Sequence, residues 1–137
     1  MNEEKVLLDS DTLSFLMKKY PVVVQRYEEY IEKHGFVYIG RVTVFEILNG
    51  LKAKHATKQL EKFRSFITQH EILEVTELSV EFSSDAYAEL VKKGKHSGFD
   101  DLLIAGIALA NDLTLVTNNT KDFENIENLR IDNWYEE

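Results

Sequence analysis

Cysteine is absent from all 137 residues. That excludes a disulfide scaffold, thiolate zinc, an iron–sulfur cluster and a cysteine nucleophile. Proline occurs once and glycine six times, too thinly to mark a linker, so 1–137 reads as a single domain. No apolar run approaches the roughly 18–20 residues of a membrane span. The acidic start Asn2-Glu3-Glu4 is not a secretory leader, and a cytoplasmic protein with no membrane partner is expected. Positive charge is also scarce, with 16 Lys and Arg against 24 Asp and Glu and a net charge of −8. No broad basic surface can hold a phosphate backbone, so a nucleic acid would need local Lys or Arg groups or a bridging cation.

What is present suits a folded domain: 44% of the chain is hydrophobic and 29% is charged. Val6-Leu7-Leu8 stops at Asp9 and reads as a buried strand. A short helix follows, with Leu13, Leu16 and Met17 inward. Pro21 suits the first turn of a second helix, which ends at Gly35. Further strands are expected over 36–39, 71–75, 113–117 and 129–131, and helices over 43–53, 56–69, 79–93 and 102–110. The last of these is apolar nearly all round, so it should be buried on both sides. Short apolar strands alternating with longer helices predict an α/β domain whose sheet is mainly parallel, with about five short strands.

Most of the acids lie in solvent-facing runs such as Glu28-Glu29 and Glu136-Glu137. Four do not. Asp9 ends the first strand, where ligands gather in parallel sheets, although Asp9-Ser10-Asp11-Thr12 also offers four capping residue types. Glu46 interrupts Val44-Phe45-Glu46-Ile47-Leu48, on a stripe with Thr43, Asn49 and Gly50. Asp101, with Asp100 before it, opens the most apolar helix, where one acid would serve the helix dipole and two exceed that need. Asp122 follows the strand ending at Thr117, in a turn rich in Asn and Thr. Carboxylates converging beyond strand ends repel unless a cation neutralises them. All-oxygen donors suit Mg²⁺ or Mn²⁺ better than zinc, and such ions take phosphates as further ligands.

These segments together resemble a known family. Leu7-Leu8-Asp9-Ser10-Asp11-Thr12-Leu13 is similar to the opening motif of the PIN-domain ribonucleases, specifically the VapC-type toxins of bacterial and archaeal toxin–antitoxin pairs. Val42-Thr43-Val44-Phe45-Glu46-Ile47-Leu48-Asn49-Gly50 resembles the second motif and Gly98-Phe99-Asp100-Asp101-Leu102-Leu103-Ile104-Ala105-Gly106 the third. The family aspartate of the third falls on Asp101. Leu115-Val116-Thr117-Asn118-Asn119-Thr120-Lys121-Asp122-Phe123 resembles the fourth motif, and Leu129-Arg130-Ile131-Asp132-Asn133-Trp134 the closing strand.

The resemblance implies a three-layer PIN-like domain and Mg²⁺- or Mn²⁺-dependent cleavage of RNA. It also implies a homodimer, and a small antitoxin that places a basic residue in the acidic pocket. Carried over by position, Asp9 and Asp101 would be the main metal ligands and Glu46 and Asp122 would complete the catalytic quartet. Thr43, Thr117 and Asn119 would be auxiliary polar groups, with Asn119 an alternative to Asp122 at the fourth position. Many members have Asn where this chain has Asp11.

Arg41, Lys93 and Lys95 are the candidate contacts to an RNA backbone. The four histidines show no ligand spacing and are expected at the surface. Two rivals are weighed. A catalytically silent PIN scaffold would only bind RNA or a protein partner. A phosphatase of the haloacid-dehalogenase type would use Asp9 and Asp11, but its last acidic motif should follow a strand. Here Asp100-Asp101 follows Lys92-Lys93-Gly94-Lys95-His96-Ser97.

Overall fold

The structure, a computed structural model, describes residues 4–136. Asn2, Glu3 and Glu137 of the acidic runs above lie outside them. Five short strands pair in parallel throughout, in the order β3-β2-β1-β4-β5. They are β1 (Val6–Leu8), β2 (Tyr38–Gly40), β3 (Glu71–Leu73), β4 (Thr114–Val116) and β5 (Ile131–Asp132). The helices are α1 (Ser10–Met17), α2 (Pro21–His34), α3 (Arg41–Ala53), α4 (Thr57–Ile67), α5 (Glu77–Lys92) and α6 (Phe99–Ala110).

β1 is central and buried on both faces, which is why its sequence is an unbroken apolar run instead of an alternation. Leu7 and Leu115 point into a core shared with Leu90 of α5 and Leu102, Ile104 and Ile107 of α6. Leu8 and Val116 point the other way, against Leu13 and Leu16 of α1, Val23 of α2, Val44 of α3 and Phe63 of α4. Two helical layers therefore enclose one sheet, the three-layer α/β arrangement expected.

Local chemistry explains the boundaries. Pro21 occupies the first turn of α2, and Gly35, at φ 87°, ends that helix in a conformation few other residues adopt easily. Thr76 and Ser79 cap α5 reciprocally. Ser83 Oγ donates to the Leu102 carbonyl at 2.7 Å, drawing α5 onto α6 where Gly106 presents no side chain. A Cβ at 106 would overlap Ser83 Oγ and the Ser79 carbonyl.

Three strands begin later than the apolar pattern indicates, β4 by one residue and β2 and β5 by two, at 38 and 131. For β5 the reason is Asn128, whose φ of 66° turns the chain just before Leu129. One expectation is corrected: His34 is half-buried, its ring stacked on Tyr30, and His70 is not a surface residue either. It is half-buried, its Nδ1 accepts the Val37 N–H at 3.1 Å and its Nε2 lies 2.9 Å from the Tyr27 hydroxyl. Burial lowers its pKa, and it pins the start of β3 to the start of β2.

From β1 the chain winds through β2 to β3 on one side and then returns to β4 and β5 on the other. The reversal leaves a crevice beyond the carboxyl ends of β1 and β4, the place where open parallel sheets hold ligands. Among the described residues no helix is long and apolar enough to cross a membrane.

Candidate active site

Asp9 is the first residue past β1, and its backbone N–H donates to the Val116 carbonyl at 2.9 Å. Its side chain does both jobs that the sequence left open. Oδ1 accepts the Ser10 N–H at 2.8 Å and caps α1, while Oδ2 accepts the Thr117 hydroxyl at 2.8 Å at the mouth of the crevice. Asp9 is only 4% exposed. Burial, then the nearby Asp11 charge, pushes its pKa up to about 6.

Glu46 stands on α3 one turn beyond Thr43. The stripe to which both belong runs from the core, where Thr43 is buried, to solvent at Asn49 and Gly50. Glu46 Oε1 and Thr43 Oγ1 are both buried with no hydrogen-bond partner. The Glu46 carboxyl meets that of Asp100, a contact that needs a shared proton. Burial and this partner push the Glu46 pKa up to about 8, with the Asp100 and Asp9 charges adding to it. Asp100 is held below its ordinary range, by Glu46 first and then by backbone N–H groups at 100 and 101. The two adjacent acids thus divide the work: Asp100 takes the amides at the start of α6, and Asp101 is left to the crevice. Burial, then Asp100, Asp9 and Asp122, lifts Asp101 to about 7.

Asp122 ends a single 3-10 turn (Thr120–Asp122) and completes the cluster by hydrogen bonding with Asp101. Asn119 Nδ2 donates to Asp122 Oδ2 at 2.5 Å, so the two candidates for the fourth position stand side by side. Thr117 is fully buried and joins Asp9 to this loop. The three basic candidates are exposed and differ from one another. Arg41 is held by Glu74 through contacts of 2.6–3.1 Å. Lys93 donates to the Asn125 carbonyl at 3.1 Å, and Lys95 is exposed.

The sequence reasoning passed over one member of the site, Asp100, whose pairing with Glu46 arises only when α3 and α6 pack together. Its signal was the doubled acid, one more than a helix start needs. No strand lies between α5 and Asp100, so the phosphatase arrangement does not occur.

The model of the PIN domain matches residues 6–129. The chain belongs to the PIN-domain family. It is 31% identical over 129 residues to ribonuclease VapC2 of Rickettsia felis, spanning 93% of this chain and 96% of that protein. It is 30% identical over 131 residues to the tRNA(fMet)-specific endonuclease VapC of Shigella flexneri, spanning 95% and 98%. Among solved structures it is similar to VapBC2 from Rickettsia felis bound to a DNA fragment from their promoter. That match has a TM-score of 0.85 and 29% identity, over 94% of this chain and 98% of that one. DNA-bound VapBC from Salmonella typhimurium has a TM-score of 0.85 and 30% identity, over 96% and 99%.

In this PIN domain the acids carry more negative charge than their surroundings offset. Among the described residues no Lys or Arg pairs with Asp9, Glu46, Asp100, Asp101 or Asp122. Nor do three acidic or histidine side chains there close into a ready-made cation cage. The carboxyls instead pair off, Glu46 with Asp100 and Asp101 with Asp122. Such pairing is what repelling carboxylates do when protons must substitute for a missing positive charge. The all-oxygen donor set, the raised pKa values and the unpartnered Glu46 Oε1 fit a hard divalent cation.

Proposed function

We propose that this PIN domain is a VapC-type endoribonuclease toxin that hydrolyses RNA phosphodiesters in the cytoplasm and is silenced by a small antitoxin. The observation that carries the reading is the meeting of Asp9, Glu46, Asp101 and Asp122, from four separate segments, in one crevice with no cationic partner. Asp9 and Asp101 would hold Mg²⁺ or Mn²⁺, with Glu46 and Asp122 as the secondary ligands. The ion, when bound, supplies a Lewis acid that eases ionisation of the attacking water and offsets the charge developing on the phosphodiester.

The chain's own residues do the rest. Ser10 N–H and the Thr117 hydroxyl fix both oxygens of Asp9, so the carboxylate is oriented before any ligand arrives. Glu46 holds a proton near neutral pH because it is buried and Asp100 faces it, and it is placed to exchange that proton as charge arrives. Lys95, exposed and six residues before Asp101 in the chain, can meet a phosphate that the acidic interior would repel. The same charge imbalance suits an antitoxin Arg or Lys, whose cation would form charge-assisted hydrogen bonds with the crevice acids. Phe45 and Phe99 remain exposed, apolar surface of the kind that a homodimer would cover.

Cleavage of a mixed RNA pool tests the reading. Activity should vanish in EDTA, return with Mg²⁺ or Mn²⁺, and be lost in Asp101→Asn without loss of folded structure. A folded, Mg²⁺-loaded chain that leaves all RNA intact would instead support the silent scaffold.

A further inference from the structure

The loop leaving β4 is held from the side of α1 by a carboxylate that neither the cap nor the acid quartet uses. Asp11 Oδ2 accepts the Asn118 N–H at 3.0 Å, and Oδ1 accepts the Thr12 N–H at 2.6 Å. The cap of α1 is Asp9, so Asp11 is free to reach across. Asn118 is gripped from its other side as well, where Asn133 Nδ2 donates to its Oδ1 at 3.0 Å. That second grip holds the side chain and leaves the backbone N–H to Asp11.

The residues flanking Asn118 are those that touch the acids. Thr117 donates its single hydroxyl hydrogen to Asp9 Oδ2 at 2.8 Å. The hydroxyl oxygen accepts the Asn119 N–H at 3.0 Å, and it also lies 3.5 Å from both Asp11 oxygens. Asn119 in turn donates through Nδ2 to Asp122, the hydrogen-bond partner of Asp101. One series of hydrogen bonds therefore runs from Asp9 through Thr117 and Asn119 to Asp122 and Asp101, and Asp11 anchors its middle.

We propose that Asp11 is a positioning residue: by holding the Asn118 N–H it fixes the loop that seats Thr117 on Asp9 and Asn119 on Asp122. The choice of a carboxylate supports this. A negative charge so close to Asp9 is electrostatically unfavourable, and it is retained where two separate N–H donors need two separate oxygens. An asparagine at 11 would offer its single oxygen to one of these donors and turn its own N–H groups toward the other, which needs an acceptor.

Amide hydrogen exchange of the ¹⁵N-labelled, metal-free chain tests the clip directly. In Asp11→Ala, the Asn118 and Asn119 amides should both exchange about ten-fold faster, while those of Leu13 and Leu115 stay protected. Asp11→Asn, which preserves shape, should give a smaller change in the same two amides. The proposal is overturned if Asn119 keeps wild-type protection in both variants, or if Leu13 and Leu115 open equally, which would make Asp11 a general stabiliser. A second arm rests on the nuclease reading. Asp11→Ala should lower kcat for RNA cleavage about ten-fold with KM unchanged, and should add nothing in a Thr117→Val background. Losses that multiply would also overturn the proposal. A wild-type chain that cuts no RNA overturns the nuclease reading, while the exchange arm still decides Asp11.

Discussion

Replacing Asp9 by Asn should stabilise the metal-free protein, although it removes a helix cap residue and a principal acid of the site. The Asp9 carboxyl is raised from 3.8 to about 6 by burial and by Asp11, and a lift of that size costs about 3 kcal/mol when the group is ionised in both states. Asparagine keeps most of the hydrogen bonding: its oxygen can accept the Ser10 N–H, and its Nδ2 can donate to Thr117 Oγ1. Asn is as good an N-cap as Asp, and losing charge assistance to two bonds returns about 1 kcal/mol. The net gain at pH 8 is then about 2 kcal/mol, or about 6–8 °C in Tm for a chain of this length. The pH dependence has a definite sign. A carboxyl whose folded pKa is raised stabilises the fold below its unfolded pKa and loses that contribution as pH climbs through the folded value. Wild type should therefore weaken between about pH 4 and pH 6 relative to Asp9→Asn, and the two should nearly coincide at pH 4. Thermal melts in EDTA from pH 4 to pH 8.5 read this out. Mg²⁺ should then raise the Tm of wild type and leave the variant nearly unmoved. A variant melting at or below wild type at pH 8 in EDTA would show that Asp9 is primarily a structural cap, and the argument from uncompensated charge would fall.

Three further outcomes follow from particular side chains. Gly106→Ala should lower Tm by about 3–10 °C, because the new methyl overlaps the Ser83 hydroxyl and the Ser79 carbonyl and overpacking of this kind costs about 1–3 kcal/mol; an unchanged melt would refute the close α5–α6 approach. Lys95→Glu should weaken binding of single-stranded RNA and flatten its salt dependence. Arg41→Ala should change binding little, since Glu74 already occupies that guanidinium, and a larger loss from Arg41→Ala than from Lys95→Glu would reverse that assignment.

The parts of this protein legible in its sequence are those fixed by residues near one another in the chain. β1 was readable because Val6, Leu7 and Leu8 are buried on both sides of a parallel sheet. α2 was readable because Pro21 and Gly35 punctuate it. Asp9 and Asp101 could be singled out at a strand or helix end and Glu46 within an apolar helix, while Asp122 stood out only through the family resemblance. What remained hidden depends on partners brought together by packing. The Glu46–Asp100 contact joins α3 to α6, and no periodicity in either helix encodes which acid of the 100–101 pair turns toward α3. His70 gave no ligand spacing, yet in the turn before β3 its ring adds a side-chain bridge to the Glu71–Val37 backbone bond between the two segments.

Asp11 is the most instructive case, because its local role and its distant role are chemically the same act. At the start of a helix a carboxylate accepts backbone N–H groups, and a sequence reading assigns it to capping. Here one oxygen does accept a local N–H, from Thr12, while the other accepts one from Asn118. Residue type and position are compatible with either role, and only the path of β4 past the end of β1 decides between them. Where several acids crowd one crevice, the informative question is which donors each oxygen meets. An acid each of whose oxygens meets a backbone N–H, as both of Asp11 do, shapes the site. Asp101, whose neighbours are Asp100, Asp9 and Asp122, is where positive charge is wanted.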